Sequence, residues 1–168
     1  MISKKMEKMI NDQYHKELLS ANQYFAMCSH FLQRDLDGFA HFFRIQAEEE
    51  MMHAAKQFDY LHDVDGKITI GQIAAPETEF TSILDVFEKT LAHEQYITRS
   101  IHEIVKAALE EGDYATHQFF QWFVAEQVEE ESTMRTIIGK LKLIEDNKSA
   151  IYLLNEEMLK RQIGKGEV

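Results

Sequence analysis

Residues 39–63, FAHFFRIQAEEEMMHAAKQFDYLHD, decide the fold. Followed in alternating steps of three and four, they give Phe39, Phe43, Gln46, Glu50, His53, Gln57 and Tyr60. That spacing is the seam of a helix packed lengthwise in a bundle. The ends of the seam are aromatic, but its middle carries a carboxylate and an imidazole. Packing that buries the aromatic ends also buries these groups, and a buried charge needs a partner.

Three further windows repeat the arrangement. The first predicted helix, about 3–34, reads Ile10, Tyr14, Glu17, Ala21, Tyr24, Cys28 and Phe31. The third, about 81–111, reads Ile83, Phe87, Thr90, Glu94, Ile97, Ile101 and Ile104. The fourth, about 113–145, reads Phe120, Phe123, Gln127, Glu130, Met134, Ile137 and Leu141. Mid-helix positions fall at one height whichever way a helix points, so Glu17, Glu50, His53, Glu94, Gln127 and Glu130 should converge on one layer of the core. One acid in one seam is ordinarily a solvent-facing residue, and a seam Gln a satisfied core amide. Four seams interrupted at one level need another explanation. No Lys or Arg shares the layer: Lys16, Arg44 and Lys56 are off the seam positions. Multivalent cations satisfy such a layer better than four protonated acids do. The donors are oxygens and one imidazole without a thiolate, a set that suits iron or manganese and would also take zinc. Glu50 and His53 share a helix face, and Glu50 is placed to bridge two metals about 3.5–4 Å apart.

The breaks between windows give the topology. The turn Asp35-Leu36-Asp37-Gly38 and the stop at Gly112 are short, so the helices they join run antiparallel. Residues 64–80 form a longer connection with Pro76 and a β-prone run, Lys67-Ile68-Thr69-Ile70. The second helix is about 40 Å long, and an extended segment of that length spans about 50 Å. The third helix therefore starts at the far end of the bundle. The expected fold is all-α: an up-down-down-up four-helix bundle with one long crossover, and a short fifth helix at about 149–162 with the stripe Ile151, Leu154 and Met158. One domain is expected over 1–168.

Composition narrows the function. Hydrophobic residues at 45% exclude a disordered chain. A single Cys excludes a disulfide scaffold and any four-thiolate site. A formal net charge of −11 repels phosphate backbones and anionic lipid, so neither nucleic acid nor membrane is an expected partner. There is no long apolar run and no signal-peptide pattern at the start, which points to a cytoplasmic protein.

At these residues the chain resembles a ferritin, specifically the bacterial non-haem type. The likeness is carried by Glu17 and Tyr24, by the run 47–53 (AEEEMMH), by Ala92-His93-Glu94-Gln95 and by 119–131 (FFQWFVAEQVEEE). It implies a homo-oligomeric shell of about two dozen subunits built of dimers, an enzyme that oxidises Fe(II) with O2 or H2O2, and storage of the ferric mineral inside. The resemblance implies a first iron site of Glu17, Glu50 and His53, and a second of Glu50, Glu94 and Glu130, with Gln127 close by. A third iron site would use Glu49, Glu126, Glu129 and Glu130, and Tyr24 would stand beside the centre as an electron donor. Bacterioferritins carry a second E-x-x-H where this chain has Gln127-Val128-Glu129-Glu130. Met51 matches their haem-ligating position, but Met at helical spacing ordinarily packs, and no haem is expected. Animal ferritins place acids in their three-fold pore where this chain has His117 and Phe120. Two other functions fit the residues: a di-iron peroxidase or oxygenase that stores nothing, and a cation buffer without redox turnover.

Overall fold

A computed structural model describes residues 2–164. Five helices follow one another: α1 Lys4–Leu32, α2 Asp37–Asp63, α3 Ile83–Glu111, α4 Tyr114–Ile144 and α5 Lys148–Met158. Four begin on a side chain that accepts a first-turn N–H, as helix N-termini prefer: Ser3 from Met6, Ser82 from Asp85, Asp113 from Thr116 and Asn147 from Ala150. α2 has no such residue of its own. Its first N–H groups, on Gly38 and Phe39, donate instead to Asn155 Oδ1 of α5, at 3.0 and 3.1 Å. Glycine is required at 38, because a Cβ there would lie 1.7 Å from the Asn155 carbonyl oxygen. Gly112 closes α3 in the left-handed conformation at φ 69°.

Side-chain pairs fix the directions. Along α1, Gln13 meets Ser100 and Ser20 meets His93 of α3, so rising numbers meet falling ones. Glu17 meets Gln57 and Phe31 meets Phe39 across α1 and α2 in the same sense. α1 is thus antiparallel to both α2 and α3, and α2 runs parallel to α3, the expected up-down-down-up order. The crossover is held by side chains of α1. Among the described residues none is a strand. The run at 67–70 lies along α1, where Asn11 takes the place of a neighbouring strand. Its Nδ2 donates to Lys67 O at 2.8 Å and its Oδ1 accepts from Thr69 N at 2.7 Å. Gly71 N then donates to His15 Nε2 at 3.0 Å.

The core has two apolar ends. One gathers Phe31, Phe39, Phe42, Phe43, Phe87 and Met134 with Leu154 and Met158 of α5. The other gathers Met6, Ile10, Leu61, Ile101, Phe120 and Phe123. Between them, in sequence and at mid-helix, lie the buried polar groups. The α5 stripe belongs to the first end: Leu154 and Met158 are buried and Ile151 packs beside them. Tyr152 and Leu153 face outward instead. α5 also stops earlier than the periodicity suggests, and the chain turns away at 159–160.

Candidate metal centre

All six seam residues expected at mid-height are buried: Glu17, Glu50, His53, Glu94, Gln127 and Glu130 each expose 4% or less. Three of them converge. One donor atom from each of Glu17, Glu50 and His53 lies within 4.8 Å of the other two. α2 presents Glu50 and His53 one turn apart, with His53 Nδ1 3.2 Å from Glu50 Oε2. The imidazole is wedged edge-on against Trp122 and Phe123, at centroid distances of 5.4 and 5.8 Å. α1 brings Glu17 across from the opposite side.

Two neutral amides hold Glu17. Gln13 Nε2, one turn earlier on α1, and Gln57 Nε2 of α2 both donate to its Oε1, at 2.9 and 2.8 Å. Its other oxygen, Oε2, is buried and has no hydrogen-bond partner. A bare carboxylate oxygen in a core costs several kcal/mol, of order 1–3 at least, unless something binds it. Gln13 is itself held by Ser100 Oγ at 2.5 Å, which accepts from Lys16 Nζ at the helix edge at 2.5 Å. A cation at the surface is therefore linked to Glu17 only through neutral groups.

The other carboxylates are turned to donors of their own. Tyr24 OH donates to Glu94 Oε1, and Gln127 Nε2 donates to Glu94 Oε2 at 3.0 Å and to Thr98 Oγ1 at 3.2 Å. Gln46 Nε2 donates to Glu130 Oε2 at 2.9 Å. Glu50, Glu94 and Glu130 do not close to the span that Glu17, Glu50 and His53 reach. Their ionisation records the crowding. Burial pushes the Glu50 carboxyl well above the usual range, with Glu94 and Glu17 adding to it against the His53 contact. Burial raises Glu94 against the hydrogen bonds from Tyr24 and Gln127. Glu130 is pushed up to about 8, by burial first and then by Glu94, with Arg161 opposing. Burial and the same carboxylates push the Tyr24 phenol well above 10.0.

The four acids expected to form a third site are less alike than their spacing suggests. Glu49 and Glu130 are buried, Glu126 is half-buried and Glu129 is exposed. Glu49 is already paired: Arg161 Nη2 lies 2.5 Å from its Oε2, and Gly164 N donates to its Oε1 at 2.9 Å. The layer is therefore not free of basic residues, as the seams alone suggest. The cation arrives from beyond α5, where no seam position predicts it. Gln13 also escapes the seam reading, although its place one turn before Glu17 was a usable signal. Met51 is half-exposed beside Tyr14, Leu18 and Phe58, outside the layer. Cys28 is buried in the apolar end, where burial raises its thiol pKa.

The family model for the ferritin-like domain matches residues 7–144. A bacterial non-heme ferritin of Campylobacter jejuni is 42% identical over 156 residues, covering 93% of each chain. One from Staphylococcus haemolyticus is 40% identical over 161 residues, 96% of this chain and 97% of its own. Among solved structures, an open-pore ferritin of the archaeon Archaeoglobus fulgidus superposes with a TM-score of 0.95 at 41% identity, over 96% of this chain and all of its own. A humanized archaeal ferritin gives 0.96 at 41% identity, over 98% and 99%.

Proposed function

This chain belongs to the ferritin-like domain family, and from that premise we propose that it is a cytoplasmic iron-storage ferritin with ferroxidase activity. Fe(II) is its substrate, and Glu17, Glu50 and His53 form the first site. The observation that carries this reading is the buried Glu17 Oε2, which has no partner in a group of donors within 4.8 Å. Glu50 bridges to a second site completed by Glu94 and Glu130, with Gln127 orienting Glu94. Glu49, Glu126, Glu129 and Glu130 offer a third position toward the inner face.

Anionic oxygen donors stabilise Fe(III) more than Fe(II), so the carboxylate layer makes oxidation easier. Two Fe(II) give one electron each, which with two protons reduces O2 to H2O2, or H2O2 to two waters. Glu50 and Glu130, whose carboxyls hold protons more tightly than usual, release them as the cations bind. Tyr24, whose hydroxyl donates to Glu94, is the proposed source of a third electron to the oxygen species, and another Fe(II) would then reduce the tyrosyl radical. The ferric product then hydrolyses and accumulates inside a shell of about two dozen subunits built of dimers. The outward Tyr152 and Leu153 of α5 support association, because exposed apolar residues grouped on one short helix favour a contact with another subunit.

Fe(II) added in air to the native protein tests this, with ferric absorbance and particle mass followed together. The expected result is rapid oxidation by a large particle that gains iron mass. Oxidation no faster than in protein-free buffer would contradict the enzyme, and a monomer or dimer would contradict the store.

A further inference from the structure

We propose that Arg161 is a resident cation on the inner carboxylate face, and that a metal ion bound by Glu49 and Glu130 must displace it. The inference rests on the third-site reading above and adds a competitor from the chain itself.

Beyond α5 the chain doubles back along α2. The Arg161 carbonyl lies 2.9 Å from His41 Nε2, and the guanidinium stacks over Phe42, 4.2 Å from the ring centroid. These contacts aim the side chain at Glu49. Arg161 and Gly164 together donate to both Glu49 oxygens, so its charge is already matched by a guanidinium. The guanidinium is not fully used, because its Nη1 is buried without a partner. Arg161 and Glu49 therefore form one electrostatic unit.

A guanidinium and a divalent cation are alternatives for this unit. Two positive groups cannot share two carboxylates at close range without repelling each other. An Arg stripped of its carboxylate is costly to keep buried. It has somewhere to go: a cleft of about 600 Å³ alongside is lined by Glu49, Glu129, Ser132, Thr133, Arg161 and Gly164. Metal binding at the inner face would release Arg161 into that cleft and free the Gly164 N–H. The first site has no such competitor, so it fills first and the third position fills last.

Anaerobic Fe(II) titration calorimetry tests the competition on the assembled wild-type protein, on Arg161→Gln and on a chain ended after Lys160, which keeps all of α5. Removing a charge-assisted pair should tighten the third equivalent about ten- to hundredfold in both variants. It should leave the first, which involves neither Glu49 nor Glu130, unchanged, and adding Glu49→Gln to Arg161→Gln should cancel the gain. In the wild type, hydrogen exchange at the Gly164 amide should accelerate when the third equivalent is added and not before. A third equivalent of equal affinity in wild type and variants would overturn the competition while leaving the third site standing. Two equivalents in every protein would overturn the third site and the competition together.

Discussion

Glu17 and Glu49 are both buried carboxylates on neighbouring helices, yet their surroundings are opposite. Glu17 takes two hydrogen bonds from neutral amides, both on one oxygen, and keeps the other bare. Glu49 has a guanidinium on one oxygen and a backbone N–H on the other. Amides orient a carboxylate without spending its charge, whereas a guanidinium neutralises it. The difference separates a carboxylate with one oxygen left open from one that already faces a cation. Burial alone does not distinguish them: both residues are almost fully buried, and only Glu17 keeps an oxygen without a partner.

The largest expected effect comes from removing the residue shared by the two iron positions. Glu50→Ala should slow initial Fe(II) oxidation by about a hundredfold or more, since even outer partners of metal ligands cost ten- to hundredfold. The metal-free bundle should be at least as stable to urea, because a buried carboxyl with a strongly raised pKa has been removed. Stopped-flow absorbance and urea midpoints check the two halves, and fast oxidation that survives in the variant would break the assignment.

Next in size is the amide fork. Gln13→Leu with Gln57→Leu frees Glu17 to rotate, and should weaken Fe(II) binding at the first site about tenfold or more. Single-site affinity by anaerobic calorimetry measures it. An unchanged affinity would mean the amides only fill space, which would erase the contrast between Glu17 and Glu49.

A smaller effect follows from Glu130. Its folded pKa of about 8 stands above the ordinary 4.5. A raised acid contributes most when protonated, so its share of metal-free stability is full below about pH 4.5 and is lost as pH rises toward 8. Urea midpoints in a chelator between pH 5 and 8 should therefore fall more steeply for wild type than for Glu130→Gln. Parallel pH profiles would contradict the burial of an ionisable Glu130. The smallest effect is Tyr24→Phe. It removes one hydrogen bond to Glu94 and should change the initial oxidation rate by less than about tenfold, read by the same stopped-flow measurement.

Much of this was legible in the chain. The seams give the four long helices within a few residues, and they bring Glu17, Glu50, His53, Glu94, Gln127 and Glu130 into one buried layer. They succeed because heptad spacing is a local property and helix midpoints align by geometry. They miss what depends on tertiary return of the chain. Asn155 caps a helix more than a hundred residues earlier, and Arg161 reaches Glu49 only after α5 has ended. The run at 67–70 shows the same limit: propensity describes the segment, whereas its partners within the chain are Asn11 and His15 of α1. The stripe Ile151, Leu154 and Met158 packs on its own bundle rather than standing free for another subunit, which spacing alone does not decide.

The most direct test is to locate the iron. Crystals loaded with Fe(II) under anaerobic conditions and measured at the iron absorption edge should show their strongest anomalous peak within coordination distance of Glu17, Glu50 and His53. A second peak is expected between Glu50, Glu94 and Glu130, with Arg161 still on Glu49 at low loading. A strongest peak elsewhere, with Glu17 Oε2 left bare, would contradict the account.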